Sequence, residues 1–219
     1  YFELENYDFS KIIEKYFLDY SIIALIFKDS NEIKILSKIN IKDKKVIKSN
    51  SFKNINLNNE LRTLLVFGGS QGSQFLNEKI KIALENHKLD FINVIWIVGK
   101  NNYELFKHLE CKNVIIYDYC DAMPYLYENV DLVLSRSGAM TISELIKFEK
   151  PSILVPFKFS SENHQHFNAK FLHDSLCSKL IEEDNFCNET FISTLKNISQ
   201  NDRILNSMKS NFSKINIPD

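Results

Sequence analysis

Short apolar segments alternate with helical patterns along most of this 219-residue chain. From Thr63 onward, each apolar segment is followed by a stretch in which apolar positions recur at helical spacing. The apolar segments predict strands at 63–67, 93–98, 113–117, 131–135, 152–156 and 178–181. The stretches between them predict helices at 73–87, near 102–109, near 123–128, at 139–148 and at 163–175, with further helices closing the chain. Strands that are apolar on both faces and alternate with helices indicate a parallel sheet covered on both sides. The predicted fold class is therefore α/β, a Rossmann-like, doubly wound domain.

The chain before Thr63 lacks this regular alternation. Residues 21–27 and 45–48 are strand-like but are separated by polar residues. The segment 49–62 contains five asparagines and little apolar periodicity, which is typical of a linker. We therefore predict three parts: 1–48 as the remnant of another domain, 49–62 as a linker, and 63–219 as the sheet domain.

Composition excludes several classes of protein. With 44% hydrophobic and 25% charged residues, the chain is typical of soluble globular proteins. A formal charge of −1 gives no basic field for nucleic acid, and the lysines between Lys34 and Lys53 are interpreted as a solvated face. The four cysteines lack metal-ligand spacing and predict reduced thiols in a cytosolic protein. No apolar run approaches the roughly 18 to 20 residues that span a bilayer, so any predicted membrane contact is peripheral.

The first glycine-rich loop, Gly68-Gly69-Ser70-Gln71-Gly72, follows a strand and precedes a helix. Such a loop can turn tightly and direct free backbone N–H groups and the positive end of a helix at a phosphate. It matches neither the GxGxxG pattern of dinucleotide sites nor the P-loop pattern. A purely structural tight turn remains the alternative.

The second loop runs from Ser135 to Glu144 and has the same position between strand and helix. Unpaired N–H groups at the helix start can bind a diphosphate, and Glu144 can accept hydrogen bonds from ribose hydroxyls. The alternative is a capping pair between Thr141 and Glu144 with no ligand. For Arg136 we favour an ion pair that braces the loop over a direct phosphate contact.

The third loop, residues 156–169, concentrates amide and imidazole groups. Gln165 can both donate to and accept from sugar hydroxyls, and Asn168 lies one helical turn later on the same face. In the alternative, Ser160 or Asn163 caps the helix and both histidines are exposed. His164 and His166 are two positions apart and do not share a helix face, so no metal site is predicted.

Other catalytic patterns are missing from the sequence. It contains no DxD pair, no GxSxG elbow and no HExxH motif. Asp118 and Asp121 are interpreted as solvated loop carboxylates. No cofactor is predicted.

Four sequence stretches resemble the MurG family, the bacterial transferases that move N-acetylglucosamine from UDP to undecaprenyl-pyrophosphoryl-N-acetylmuramyl-pentapeptide in peptidoglycan synthesis. These stretches are FGGSQG at 67–72, YDYCDAM at 117–123, SRSGAMTISE at 135–144, and VPF followed by ENHQHFNAK within 155–170. The resemblance covers the chain from about residue 45 to its end. It implies the C-terminal, donor-binding half of a GT-B glycosyltransferase that inverts the anomeric centre.

The same resemblance implies roles for individual residues. Ser70 and the backbone of Ala139, Met140 and Thr141 would hold the diphosphate. Glu144 would contact the ribose, Gln165 the sugar, and the backbone of Cys120 the uracil. The predicted UDP-N-acetylglucosamine site comprises Lys53, Ser70, Cys120, Ala139, Met140, Thr141, Ile142, Ser143, Glu144 and Gln165, with Gly69, Gln71, Gly138, His164 and Asn168 as a secondary set.

The chain departs from the family pattern at Lys53, which stands where the family has arginine in an Asn-Pro-Val-Arg linker. The resemblance implies that residues 1–48 are only the last portion of the family's N-terminal, acceptor-facing domain, and we expect the rest of that half and the family's final crossover helix to be missing. We therefore expect a fragment that is inactive alone, with the general base in the missing half. The expected location is cytoplasmic, on the inner face of the plasma membrane. The alternatives are a separate donor-binding subunit of a two-subunit transferase and a non-catalytic Rossmann-like module.

Overall fold

The fold is described from a computed structural model that covers residues 23–24, 35–36, 57–69 and 72–215. Strands β1 (Ile23–Ala24) and β2 (Ile35–Leu36) pair antiparallel as a two-stranded sheet. β1 lies within the predicted strand-like stretch 21–27, whereas β2 was not predicted. The second strand-like stretch, 45–48, lies outside the described residues.

The remaining strands form one six-stranded sheet in the order β5-β4-β3-β6-β7-β8, and every neighbouring pair is parallel. The strands are β3 (Thr63–Phe67), β4 (Asn93–Ile97), β5 (Val114–Tyr117), β6 (Leu132–Ser135), β7 (Ser152–Leu154) and β8 (Ser178–Leu180). From β3 the chain moves outward through β4 to β5 and then returns to the other side of β3 as β6. This reversal is a topological switch point, where open α/β sheets bind ligands beyond the carboxyl ends of the strands.

The helices connect these strands and cover the sheet. They are α1 (Gln74–Glu85), α2 (Tyr103–Phe106), α3 (Met123–Asn129), α4 (Ala139–Lys147), α5 (His164–Asp174), α6 (Asn188–Ser199) and α7 (Asp202–Asn211). Short 3-10 turns lie at Lys107–Leu109, Ser161–Asn163, Glu183–Asn185 and Phe212–Lys214. The α/β prediction is confirmed, and most element ends differ from the predicted ones by one or two residues because terminal turns carry little apolar signal.

Both faces of the sheet are buried, which explains the continuously apolar strands. Leu64, Leu65 and Val66 are consecutive in β3 and all fully buried. Since successive side chains of a strand point to opposite faces, burial of all three requires helices on both sides. α1 contributes Leu76, Ile80 and Ala83 to one core, at helical spacing.

The end of the predicted linker is tied to the sheet through a buried asparagine. Asn93, the first residue of β4, donates from Nδ2 to the carbonyl oxygens of Asn58 at 2.8 Å and Leu61 at 3.0 Å. Its Oδ1 accepts from the N–H of Asn58 at 3.2 Å. These bonds satisfy backbone groups that take no part in strand pairing. They hold residues 58–61 at the amino end of β4, opposite the cleft.

Candidate functional site

A cleft of about 600 Å³ lies at the carboxyl ends of the strands and brings the three predicted loops together. The loop after β3, the loop after β6 and the loop after β7 each contribute to its walls. The lining residues are Gly68, Gly69, Gly72, Ser73, Gln74, Phe75, Arg136, Gly138, Thr141, Phe157, Gln165 and Glu183. The cleft therefore occupies the switch point between β3 and β6.

The two helices that follow the glycine-containing loops differ at their N-termini. Ser73 caps α1, and its Oγ accepts from the N–H of Leu76 at 3.3 Å. The N-cap of α4 is Gly138, with φ −61° and ψ 154°, and no described side chain caps this helix. The capping pair between Thr141 and Glu144 is thus wrong, because Thr141 lies inside the helix. The first N–H groups of α4 remain available to an anion in the cleft.

The first turn of α4 contains both accessible and buried groups. Gly138 and Thr141 line the cleft, and Met140 is 50% exposed. Ile142 and Ser143 have buried side chains, and the Ser143 hydroxyl donates to the Ala139 carbonyl at 3.1 Å. The N–H of Ile142 already donates to the carbonyl of Gly138 at 3.0 Å.

Glu144 lies one turn into α4 and is held from α3. Its Oε2 accepts a hydrogen bond of 3.0 Å from the hydroxyl of Tyr127, a fully buried side chain. Burial raises the pKa of Glu144, while the Tyr127 hydroxyl and Lys147 oppose that rise. Glu144 does not line the cleft volume itself, so its predicted ribose contact would form at the cleft margin.

Arg136 braces the cleft walls, as the sequence interpretation favoured. Its Nε donates to Ser73 Oγ and one terminal nitrogen donates to the carbonyls of Val155 and Pro156, all at 3.1 Å. The other terminal nitrogen forms an ion pair with Glu183. Burial lowers the pKa of the guanidinium, and Glu183 opposes this effect. Phe157 lies against the guanidinium carbon, 5.5 Å from the ring centroid, so few donors remain for a phosphate.

Three consecutive acidic residues follow β8, and each pairs with a basic side chain from another part of the chain. The pairs are Glu182 with His166 at 2.6 Å, Glu183 with Arg136, and Asp184 with Lys158 at 2.6 Å. We call residues 182–184 the acidic triplet. It joins the end of β8 to the loops after β6 and β7 and to helix α5.

Hydrogen bonds from Ser137 and Asn168 fasten the third loop to the second, and Gln165 makes a further bond within the third loop. Gln165 Oε1 accepts from the N–H of Phe157 at 3.0 Å, which leaves its amide nitrogen as the group available to a ligand. The Ser137 hydroxyl donates to the Gln165 carbonyl at 2.7 Å, and buried Asn168 donates to the Ser137 carbonyl at 2.9 Å. His164 Nδ1 lies 2.7 Å from the Ser161 carbonyl oxygen.

Two parts of the alternative for this loop are wrong. Neither Ser160 nor Asn163 makes a side-chain capping bond. His164 and His166 are half-buried, because both rings pack back against their own loop and the acidic triplet.

Cys120 lies in the loop after β5, apart from the cleft lining. Its side chain is buried, and burial raises the pKa of the thiol to about 11. This environment restricts Cys120 to a backbone contact with a ligand. Asp118 and Asp121 are exposed, which confirms their interpretation as solvated carboxylates.

Three predicted site residues, Lys53, Ser70 and Gln71, lie outside the described residues. Within the described part, no group of three or more His, Cys, Asp or Glu side chains could hold a metal ion. In the same part of the chain, every helix is too short or too polar to cross a bilayer.

Sequence reasoning missed Tyr127 and Glu183, the partners of Glu144 and Arg136. Tyr127 falls at an apolar position of a predicted helix, and its ring alone explains that pattern. A signal for Glu183 did exist, because it follows a strand whose carboxyl end meets the same sheet edge as the other loops.

Comparisons with known proteins agree with this geometry. The model of the glycosyltransferase family 28 C-terminal domain matches residues 63–218. A relative from Elusimicrobium minutum, named UDP-N-acetylglucosamine--N-acetylmuramyl-(pentapeptide) pyrophosphoryl-undecaprenol N-acetylglucosamine transferase, is 35% identical over 74% of this chain and 46% of its own length. A Bacillus cytotoxicus protein of the same name is 30% identical over 96% of this chain and 59% of its own length. The chain thus spans about half the length of the curated relatives it matches.

Solved structures share the fold. Acinetobacter baumannii MurG superposes with a TM-score of 0.64 at 25% identity, over 74% of this chain and 47% of that one. Spinosyn rhamnosyltransferase SpnG, solved in complex with thymidine diphosphate, gives 0.54 at 14% identity and covers 74% of this chain and 44% of its own, which shows the fold alone. The predicted resemblance to the MurG family and to a GT-B C-terminal domain is confirmed. Because the family match covers more than half of the chain, this protein belongs to glycosyltransferase family 28 and carries the C-terminal domain of that family.

Proposed function

We propose that this domain binds UDP-N-acetylglucosamine with its diphosphate at the N-terminus of α4. The observation that carries the proposal is the uncapped N-terminus beside Gly138, in a cleft at the switch point of the sheet. A helix start combines oriented N–H donors with a positive partial charge, and both favour a diphosphate. Because Ser73 already caps α1, the α4 terminus is the better of the two anion sites.

The remaining donor contacts follow from the positions of the side chains around that point. Glu144 has a second carboxylate oxygen for the ribose hydroxyls, and the amide nitrogen of Gln165, which makes no hydrogen bond to the described residues, would bind the sugar. The backbone at Cys120 would bind the uracil. Lys53 and Ser70 complete the proposed site as further diphosphate ligands.

The chemical contribution of this domain would be stabilisation of the leaving group. When an acceptor hydroxyl attacks the anomeric carbon, negative charge grows on the departing diphosphate. The N–H groups of Ala139, Met140 and Thr141 are fixed before reaction and would stabilise that charge. Loss of one well-placed donor of this kind typically costs on the order of 100-fold in rate.

For the whole enzyme we propose inverting transfer of N-acetylglucosamine to the undecaprenyl-linked N-acetylmuramyl-pentapeptide. The names of the relatives and their length, about twice the matched region, support this assignment. The acceptor site and the general base would belong to the other half of the enzyme, at the inner face of the plasma membrane. The Bacillus cytotoxicus match extends over 96% of the chain, including residues before β3, which favours a single-chain transferase over a separate donor subunit.

Calorimetry with UDP-N-acetylglucosamine, UDP and UMP tests the proposal. We expect sub-millimolar binding that weakens at least about tenfold when one phosphate is removed, since hydrogen bonds to charged groups are the strong ones. Glu144→Ala and Gln165→Ala should weaken binding, whereas the exposed controls Glu128→Ala and Gln200→Ala should not. No heat at millimolar ligand would contradict donor binding and favour a non-catalytic module.

A further inference from the structure

Tyr127 combines an apolar setting with one polar contact. The side chain is fully buried, and its ring stacks on Phe148 with centroids 5.2 Å apart at 13°. Phe67 meets the same ring edge-on at 6.2 Å. Packing alone would be satisfied by phenylalanine, because both of these ring contacts are with apolar side chains. The hydroxyl therefore needs a separate explanation.

That hydroxyl donates to Oε2 of Glu144 at 3.0 Å. A buried tyrosine hydroxyl normally finds a partner, and here the partner is a carboxylate of the helix that opens onto the cleft. Within the described residues no hydrogen bond is made to the other carboxylate oxygen, Oε1. The contact therefore fixes one oxygen on the core side and leaves one oxygen to accept from outside.

We propose that Tyr127 is a positioning residue for nucleotide recognition: its hydroxyl orients Glu144 so that Oε1 accepts the ribose hydroxyls. This inference rests on the proposed function of the cleft. Tyr127 itself touches no ligand and acts through Glu144. A side chain held in advance loses less conformational freedom on binding, and so contributes more of its hydrogen-bond energy to affinity.

Charge supports this arrangement. Burial places the pKa of Tyr127 well above its ordinary value, so the hydroxyl stays protonated and can only donate to the carboxylate. Removing it would leave Glu144 half-buried with one donor fewer, free to rotate and more easily protonated.

The test is UDP affinity of Tyr127→Phe, with dideoxyuridine diphosphate, which lacks both ribose hydroxyls, as the ligand control. We expect Tyr127→Phe to bind UDP about tenfold more weakly, the scale of one hydrogen bond to a charged group. The affinity of Tyr127→Phe for the dideoxy ligand should stay within about twofold of the wild-type value, because that ligand has no ribose hydroxyl for Oε1 of Glu144. Tyr125→Phe on the same helix, whose side chain is 44% exposed, serves as the matched protein control.

A double-mutant comparison separates the inference from any general effect of Tyr127→Phe on stability. Glu144→Gln changes only the half-buried partner, and in its background Tyr127→Phe should no longer discriminate between the two ligands. Equal weakening for both ligands, or an unchanged UDP affinity, would overturn the inference while leaving donor binding intact. Failure of the wild-type chain to bind UDP would instead overturn the proposed function and this inference together.

Discussion

Arg136 and Glu183 form an ion pair in the cleft wall, with side chains only 9% and 13% exposed. The pair joins the loop after β6 to the 3-10 turn after β8. Arg136 also donates to Ser73 and to two carbonyls after β7, so one side chain connects four segments around the cleft. The shape of the proposed donor site therefore depends on a residue that is not itself a free phosphate ligand.

Replacing Arg136 should destabilise the fold strongly. Arg136→Met leaves Glu183 buried without its partner, and removal of one member of a buried pair typically costs about 3 to 5 kcal/mol. Lys158→Met is the control, because the Lys158–Asp184 pair is 49% and 68% exposed and such pairs contribute less than about 1 kcal/mol. Urea unfolding measures the free energy of unfolding of both variants. Equal losses for the two variants would contradict the bracing role.

Two glycine substitutions should separate binding from folding. Gly138 has ordinary backbone angles, and an added Cβ would enter open space in the cleft. We expect Gly138→Ala to change stability by less than about 1 kcal/mol, because its backbone angles suit alanine while alanine is the poorer N-cap. The variant should bind UDP about tenfold more weakly, because the methyl group obstructs close approach to the α4 terminus.

Gly72 gives the opposite result. Its φ is +79°, and an added Cβ would collide with the carbonyl oxygen of Val98. Gly72→Ala should therefore cost more than about 1 kcal/mol of stability. Thermal unfolding and UDP titration of both variants measure the contrast. A Gly138→Ala protein with unchanged UDP affinity would argue against the α4 site.

UDP affinity should depend on pH through Glu144. Burial raises the pKa of this carboxyl, against the Tyr127 hydroxyl and Lys147, which both lower it. A protonated carboxyl loses acceptor capacity, so affinity should be full above the raised pKa and fall as pH drops through it. The stability contribution has the opposite sense: it is present below the ordinary glutamate pKa and lost as pH rises through the raised one.

Calorimetry from about pH 4, near the ordinary glutamate pKa, up to about pH 8 measures the affinity profile. In Glu144→Gln the affinity should be weaker throughout and should lose this dependence. An identical pH profile in wild type and variant would assign the effect to another group.

The four cysteines should differ sharply in reactivity. Cys187 is exposed, and hydrogen bonds from the Thr190 side chain and backbone lower its pKa. Cys120 and Cys177 are buried with pKa values raised to about 11. With iodoacetamide at about pH 8, mass spectrometry should find Cys187 modified before the two buried thiols, which should react only on unfolding. Early labelling of Cys120 would show that its loop opens.

The six-stranded sheet could be predicted from the sequence because its strands are apolar on both faces and a helical pattern follows each of them. The predicted strand 63–67 has the same ends as β3 (Thr63–Phe67), because polar residues before it and glycines after it bound a continuous apolar run. Strand β2 (Ile35–Leu36) was missed because two residues carry no periodicity.

The loops of the site could be placed by their positions after strands, but their internal contacts could not. The Tyr127–Glu144 bond joins residues 17 positions apart through helix packing, and no local pattern encodes it. Glu183 reaches Arg136 from the turn after β8, a contact that depends on strand order. The capping alternative for Thr141 follows from its spacing to Glu144, but the N-cap of α4 is Gly138, three residues before Thr141.

A structure of the chain with bound UDP-N-acetylglucosamine would locate each part of the donor. We expect the diphosphate to lie against the N–H groups of Ala139, Met140 and Thr141, a ribose hydroxyl at Oε1 of Glu144, and the sugar at Gln165. A diphosphate at the N-terminus of α1, or a nucleotide outside the cleft between β3 and β6, would contradict this placement.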